Sequence, residues 1–310
     1  MFDIRKAIRE IKDSGFCRNE ESIRKFESRR KELGDFPRMK NGRCNISAGA
    51  SDSGFGEISL RGGSVFLLKS IGVLFSYREG KLSEYGYFPS KMGKKEHAFI
   101  QNLDDAESRM LIELKRLNAE WESLAKAIEK GCDIALFDGS LVPLPSTIPG
   151  KGSAILEEYE RLSKTIKHAR GLAAGRKTMI AGIVKDSRSS RLCEMLGIKS
   201  NDCILMENVL REGEATPPVA YSNERKDVLL SYLKTGKSLV FRVEWFADYL
   251  ESPLQKVYDL CNVSGYRYPP PLVEADLRAM LRKNEFEAVE KAIKSSLPNL
   301  VKIRERRPFR

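Results

Sequence analysis

An aspartate at the end of a short apolar segment is the first residue of this chain that could do chemistry. Residues 134–137 read Ile-Ala-Leu-Phe, which is long enough for a buried strand, and Asp138-Gly139-Ser140 follows as a turn signal. Glycine after the aspartate lets the backbone approach a ligand closely. The pattern therefore predicts a carboxylate in a cleft. Asp also begins turns before Gly with no further role, and this motif alone favours both interpretations equally.

Two other segments carry charged residues of interest. Asp52 lies in the Ser/Gly-rich segment 43–62. Lys185 follows the apolar segment 179–184, a predicted buried strand, and its compact positive charge suits a phosphate oxygen. Arg188 could bind the same anion through two parallel N–H groups. A surface loop explains Lys185 and Arg188 equally well.

The clearest predicted helix spans residues 104–130 and carries Glu113. At about 100° per residue, Glu113 lies about 60° from the centre of the apolar stripe of this helix. The spacing alone favours an ordinary boundary glutamate, paired with Arg109 or Arg116, over a carboxylate directed into the seam between helix and sheet. The stripe consists of Met110, Leu114, Leu117, Trp121, Leu124 and Ile128.

Cysteine and histidine usage limits the chemistries that the chain can perform. None of its six cysteines forms a C-x-x-C pair, so zinc and redox motifs are not predicted, and Cys132 and Cys203 are interpreted as buried thiols. His97 and His168 are both placed on predicted helix surfaces. Two histidines exclude chemistry that needs several imidazoles, but they leave open metal sites built from Asp and Glu oxygens. Residues 171–178 lack the spacing of a phosphate loop, which excludes a nucleotide site there.

The elements around these residues predict an α/β fold. We find no internal repeat and no long linker, so a single domain over residues 1–310 is predicted, with N-terminal helices in 1–40, a core in 41–300 and a basic tail in 301–310. Further strands are predicted at 64–77, 82–89, 202–211, 218–222 and 238–246, and further helices at 153–170, 253–261 and 272–295.

The composition fits a basic globular protein. The chain has 310 residues, 41% of them hydrophobic, and a formal net charge of +11. An excess of Lys and Arg favours a polyanionic partner such as nucleic acid over a generally basic surface. No apolar run is long enough to cross a bilayer and the N-terminal segment is charged, so a cytoplasmic protein without membrane association is expected.

In this order, the motifs resemble the NurA nuclease family of archaea and some bacteria. The resemblance covers about residues 44–294, and although each motif is weak, the ordered set is specific. Its parts are Asp52 in its Ser/Gly setting, R-x-x-x-E from Arg109 to Glu113, DGSL from Asp138 to Leu141, VKDSRS from Val184 to Ser189, the FRVEWF segment, and GYRYPPPLVEAD from Gly265 to Asp276.

The resemblance implies a ribonuclease-H-like mixed β-sheet core flanked by helices. It implies a metal-dependent DNA nuclease, acting as a 5′→3′ exonuclease and single-strand endonuclease in end resection for double-strand break repair. Its partners would be single- and double-stranded DNA ends, a second copy in a homodimer, and a HerA-type hexameric ATPase. The implied site has Asp52, Glu113 and Asp138 as ligands of Mn²⁺ (or Mg²⁺), Lys185 on the phosphate, and Asp276 or Tyr266 at the rim.

Two departures from the family pattern bear on activity. Asp52-Ser53-Gly54 stands where the family usually reads Asp-Gly-Ser, and Asp276 stands in place of a histidine. A carboxylate can replace imidazole as a ligand for Mg²⁺ or Mn²⁺, but it is a general acid at neutral pH only if its pKa is raised. A catalytically impaired DNA-binding or adaptor subunit is therefore the alternative function. The E-x-K of restriction-type nucleases at residues 113–115 is set aside, because it lies on a predicted helix.

Overall fold

The computed structural model describes residues 3–13, 19–144, 147–150 and 152–302. Cys17 and residues 303–310 of the predicted basic tail lie outside the described residues. The helices are α1 Ile4–Asp13, α2 Glu20–Arg29, α3 Asp105–Lys130, α4 Leu156–Arg176, α5 Arg191–Met195, α6 Asp202–Val209, α7 Leu254–Asn262, α8 Pro270–Ala279 and α9 Lys283–Ser296, with short 3₁₀ turns at Arg30–Leu33 and Pro298–Leu300. The strands are β1 Ser47–Leu60, β2 Gly63–Arg78, β3 Lys81–Phe88, β4 Lys94–Gln101, β5 Ile134–Asp138, β6 Met179–Val184, β7 Val219–Ala220, β8 Val228–Gly236 and β9 Leu239–Phe246.

The nine strands of the described residues form one mixed sheet. Its order is β3-β2-β1-β5-β6-β9-β8-β7, and β4 pairs with β2 beside β3. Strand β5 is parallel to both β1 and β6, and the other pairs are antiparallel. Strands β5 and β6 are short apolar segments buried on both faces, as central parallel strands usually are. Strand β1 is much longer than β5, so β1 and β2 continue as a ribbon beyond the end of β5.

Helices cover both faces of this sheet. On one face, α3 and α4 pack on the central strands, and Trp121 of α3 stacks on Phe137 of β5 with ring centroids 4.8 Å apart. On the other face, α7 and α8 pack on the same strands, where Leu272 joins Leu136 in a second core. No helix in the described part of the chain is long and apolar enough to cross a membrane.

Helix α3 has clear signals at both ends. The Asp104 carboxylate accepts hydrogen bonds from the backbone N–H groups of Ala106 and Glu107, both at 2.8 Å, which satisfies donors that have no partner within the helix. Gly131 ends the helix at a φ of +93°, a conformation that favours glycine. The helix predicted at residues 104–130 is therefore confirmed.

The predicted α/β class, with a mixed sheet flanked by helices, N-terminal helices and a C-terminal helical segment, is confirmed. The strand predicted at 202–211 is wrong, because these residues form α6. The Asn201 side chain accepts a hydrogen bond from the backbone N–H of Ile204 at 3.1 Å and starts this helix. Met206 then packs against Phe26 of α2, so tertiary contacts outweigh the β-forming composition of the segment.

Four further sequence expectations differ from the structure. His97 lies on β4 and not on a helix, because its segment pairs with the long strand β2. The helix predicted at 272–295 is two helices, α8 and α9, interrupted at residues 280–282. Cys203 is half-buried, whereas Cys132 is buried as expected. The Ser/Gly-rich segment 43–62, for which no strand was predicted, contains β1.

Candidate metal centre

Asp52 and Asp138 occupy matching positions on neighbouring parallel strands. Ser51 of β1 pairs with Phe137 of β5, so each aspartate is the next residue after a paired position. Because successive side chains alternate between the faces of a sheet, both carboxylates lie on the face that α8 covers. Neighbouring strands are about 4.8 Å apart, which brings together two carboxylates that are far apart in the sequence.

The turn after Asp138 crosses over β6. Gly139 donates its N–H to the carbonyl oxygen of Ile183 at 3.0 Å, with a φ of +130° that favours glycine. A Cβ atom built on Gly182 of β6 would lie 2.7 Å from the carbonyl oxygen of Gly139. Glycine at position 182 therefore leaves the space through which the turn passes.

Glu244 of β9 holds this turn on the far side of β6. It is 0% exposed, and its Oε2 accepts hydrogen bonds from Ser140 Oγ at 2.9 Å and from the Leu141 N–H at 2.8 Å. Its Oε1 lies 2.7 Å from Nη2 of Arg242, which is also buried. Burial raises the pKa of Glu244, while Arg242, the Leu141 N–H and Ser140 oppose the rise. A buried ion pair thus fixes the backbone that follows Asp138.

Lys185 and Tyr268 lie next to the Asp138 carboxylate. Lys185 Nζ donates a hydrogen bond to Asp138 Oδ2 at 2.7 Å and lies 4.8 Å from the centroid of the Tyr268 ring. Burial, and then the charge of Asp138, hold the pKa of Tyr268 above its usual value. The Tyr268 hydroxyl is buried next to the Asp138 carboxylate, and their interaction contributes to this shift. By contrast, the Tyr266 side chain named by the sequence is 78% exposed.

Asp276 approaches Asp52 from α8. The end of this helix rests on β1, where a Cβ atom at Gly54 would lie 2.4 Å from the carbonyl oxygen of Ala279. The pKa of Asp52 is raised to about 6, first by burial and then by the charges of Asp138 and Asp276, while the Ser53 N–H and Arg116 oppose the rise. The carboxylates of Asp138 and Asp276 are therefore near enough to Asp52 to affect its charge.

Arg116 joins two glutamates of α3 at the other side of the site. Its guanidinium donates to both carboxylate oxygens of Glu113, at 2.7 and 3.0 Å, and also to Glu120. Glu120 is 1% exposed and accepts a hydrogen bond from Ser53 Oγ of β1 at 2.6 Å. Burial raises the pKa of Glu120 to about 8, against the opposing effects of Arg116 and Ser53. The contact links α3 directly to the residue after Asp52.

Sequence reasoning missed three residues of this region, the buried Glu120 and Glu244 and the partly buried Tyr268. Glu120 had a signal, because Arg116 to Glu120 is a second R-x-x-x-E on the same helix, although it lies about 80° from the centre of the apolar stripe, farther than Glu113. Tyr268 also had a sequence signal, because it is the second tyrosine of the segment Gly265 to Asp276 that contains Tyr266. Glu244 had no sequence signal. Apolar and charged residues alternate in the strand predicted at 238–246, and this pattern places Glu244 on the face opposite the apolar side chains.

The residue types suit a hard divalent cation. No three His, Cys, Asp or Glu side chains of the described residues are arranged as a complete ligand set. Mg²⁺ usually takes only one or two carboxylates and keeps several waters, a requirement that Asp52 and Asp138 meet. A cation there would neutralise the repulsion that contributes to the raised pKa of Asp52.

Two cavities lie on either side of the strand ends at this site. The first, of about 760 Å³, is bounded by α3, α4 and the turns after β5 and β6, and Asp138 lines it. The second, of about 700 Å³, lies towards α8 and is lined by Lys185, Tyr266 and Tyr268. Residues 186–188 line both cavities and so form a ridge between them.

Known proteins resemble this chain over most of its length. A family model for the NurA domain matches residues 47–280. The NurA nuclease from Sulfolobus solfataricus superposes with a TM-score of 0.65 at 16% identity, covering 96% of this chain and 98% of that chain. A NurA crystal structure bound to dAMP and manganese superposes with a TM-score of 0.61 at 11% identity, covering 94% of this chain and 96% of that chain. No curated protein matches the chain.

Proposed function

The chain belongs to the NurA family, and on that premise we propose that it is a metal-dependent deoxyribonuclease. The observation that carries the proposal is the placement of Asp52 and Asp138 on adjacent strands, with Lys185 hydrogen-bonded to Asp138. Phosphodiester hydrolysis needs oxygen ligands for a cation and a positive group for the phosphate. Both are present at one end of β5.

In this proposal, Asp52 and Asp138 hold Mn²⁺ or Mg²⁺, which activates water and stabilises charge on the leaving oxygen when bound. Lys185 already lies at Asp138, and its flexible stem lets Nζ turn towards a scissile phosphate. Asp276 adds a carboxylate from α8, facing Asp52. The manganese in a related NurA structure supports this choice of cation.

A third carboxylate from α3 completes the proposed site, and two residues compete for this role. Glu113 is the residue that the family resemblance names, but both of its oxygens are bound by Arg116. Glu120 contacts Ser53, the neighbour of Asp52, and Asp52 contributes to its raised pKa. We therefore add Glu120 as a candidate beside Glu113, with Arg116 orienting both.

The finer parts of the proposal come from the family. They are a 5′→3′ exonuclease and single-strand endonuclease activity on DNA ends, a homodimer, and cooperation with a HerA-type hexameric ATPase in end resection for double-strand break repair. The net charge of +11 supports DNA as the substrate.

Digestion of labelled single- and double-stranded DNA in Mn²⁺ and in Mg²⁺ tests the proposal. We expect cleavage by the wild-type protein and a loss of at least about 10³-fold in Asp138→Asn, with DNA binding nearly intact. Asp248→Asn is the matched control, because Asp248 is exposed and pairs with Arg170 away from the site. Cleavage at the wild-type rate by Asp138→Asn would remove Asp138 from the mechanism.

The same assay separates the competing side chains. Glu120→Gln and Glu113→Gln are compared at increasing Mn²⁺, and the variant that lacks the third ligand needs more metal for the same rate. Tyr268→Phe and Tyr266→Phe form a second matched pair. We expect the loss at Tyr268, which is buried beside Asp138, and not at the exposed Tyr266.

A second candidate function, a DNA-binding subunit without catalysis, is favoured by one observation. Asp138 is paired with Lys185, and Glu113 and Glu120 are paired with Arg116, so cations of the protein itself neutralise these carboxylates. DNA binding without cleavage in both Mn²⁺ and Mg²⁺ would select this function over the nuclease.

A further inference from the structure

The cavity between α3, α4 and the turns after β5 and β6 has a cationic wall that the proposed chemistry does not use. Arg188, Arg191 and Arg242 line it on the side of β6 and β9, at the opposite end from Glu113 and Arg116. Its volume of about 760 Å³ lies within the range of small-ligand and cofactor sites. Because Asp138 lines the same cavity, a strand bound at the metal centre can continue directly into it.

Arg191 and Arg242 are held in place and yet incompletely paired. The Nε atoms of both have no hydrogen-bond partner in the part of the chain that the structure describes. Arg242 is more than nine-tenths buried, pairs with Glu244 and lies 5.6 Å from the centroid of the Tyr221 ring. Arg191 donates from Nη2 to Asn223 Oδ1 at 3.0 Å, which orients its guanidinium. A planar guanidinium that is oriented at a cavity wall suits bidentate binding of phosphate.

The net charge of the cavity does not explain a ligand there. Asp186 and Glu194 also line it, so the carboxylates offset the arginines in number. Recognition must therefore depend on where individual arginines lie, and not on a generally basic field. Tyr221, which is half-buried at the wall, adds an aromatic surface on which a base can stack.

We propose that this cavity binds the nucleotides of a single DNA strand that flank the bond being cleaved, with Arg191 and Arg188 on their phosphates and Tyr221 against a base. The strand crosses the ridge at residues 186–188, from the metal centre into the cavity. Arg188 has no ion-pair partner among the described residues and lies on that ridge, exposed to both sides. This inference deepens the proposed nuclease function and rests on it for the identity of the ligand.

Binding without metal tests the inference independently of catalysis. Fluorescence anisotropy in EDTA measures the affinity of the full chain for labelled oligo-dT at several salt concentrations. We expect about tenfold weaker binding for Arg191→Gln. The slope of log K against log salt should also become shallower by about 0.7, and by about twice that in Arg188→Gln/Arg191→Gln. Lys199→Gln, a change at an exposed lysine of the same segment outside the cavity lining, should bind like the wild type.

Substrate length then separates a flanking site from the cleavage site. In Mn²⁺, Arg191→Gln should hydrolyse the p-nitrophenyl ester of thymidine 5′-phosphate at the wild-type rate, because this substrate has no phosphate beyond the one being cleaved. Its kcat/KM on an oligonucleotide should fall about tenfold. Equal losses on both substrates, or unchanged oligonucleotide binding by both Arg188→Gln and Arg191→Gln, would overturn the inference. If the wild type cleaves neither substrate, the nuclease proposal fails, while the anisotropy data still decide whether this cavity binds DNA.

Discussion

Replacing Glu244 with glutamine tests how the turn after Asp138 is held. The change keeps the shape of the side chain but removes the charge that faces Arg242 at 2.7 Å. It also weakens the acceptor of two hydrogen bonds from Ser140 and Leu141. Because both members of the ion pair are buried, the variant leaves a guanidinium without its anion.

The magnitude follows from that burial. Removing one partner of a buried ion pair typically destabilises a protein by about 3–5 kcal/mol, more than a surface pair could. We therefore expect the free energy of unfolding of Glu244→Gln, measured in urea without metal, to fall by about this amount. Glu251→Gln is the control, since Glu251 is exposed with no ion pair in the described residues, and it should change stability by less than about 0.5 kcal/mol.

A double variant distinguishes the unpaired charge from the lost turn. Arg242→Met/Glu244→Gln removes both charges and should recover part of the lost stability, because an apolar replacement of a buried pair is often neutral. The turn hydrogen bonds remain weaker than those to a carboxylate, so Mn²⁺ binding measured by calorimetry should stay weaker than in the wild type. A loss below about 1 kcal/mol in Glu244→Gln would refute the role of Glu244 as the anchor of this turn.

The remaining predictions concern the carboxylates near Asp52 and the packing of α8 on β1. The pKa of Asp52 is raised from 3.8 to about 6, and the pKa of Glu120 is raised from 4.5 to about 8. The stability that the two protonated groups contribute is therefore present below about pH 4, and it is lost as the pH rises through 6 for Asp52 and through 8 for Glu120. Metal-free wild type should therefore lose on the order of a few kcal/mol over this range relative to Asp52→Asn/Glu120→Gln, and Mn²⁺ should bind more tightly at pH 7.5 than at pH 5.5. Parallel melting profiles of the two proteins against pH would contradict this. Gly54→Ala should destabilise the fold by about 1–3 kcal/mol and weaken Mn²⁺ binding, because the added Cβ would meet the Ala279 carbonyl. The control Gly42→Ala should do neither, because no atom lies within 4 Å of a Cβ at that position.

Local patterns in the sequence predicted the elements that have strong signals of their own. Helix α3 was predicted because its apolar residues recur at helical spacing. Strands β5 and β6 were predicted because they are short apolar segments before turns. Strand β1 was missed, since Ser and Gly have low β propensity, and its pairing with β2 stabilises a strand that its own residues do not favour.

The candidate site was predictable in its residue types but not in its arrangement. The turn signal after a buried strand identified Asp138, and the family resemblance added Asp52. That their side chains share a face follows only from the register of β1 and β5, in which Ser51 pairs with Phe137. The Arg116 pair with Glu113 was the spacing-based interpretation, and the structure contains it. The roles assigned to these residues stay predictions.

The two central aspartates are held by different kinds of contact. Asp52 lies in the middle of a 14-residue strand that pairs with β2 along its whole length. Asp138 is the last residue of a five-residue strand, and a glycine turn that Glu244 anchors follows it directly. The position of Asp138 therefore depends on a side chain from β9 as well as on its own strand, so a substitution two strands away can displace one aspartate and leave the other in place.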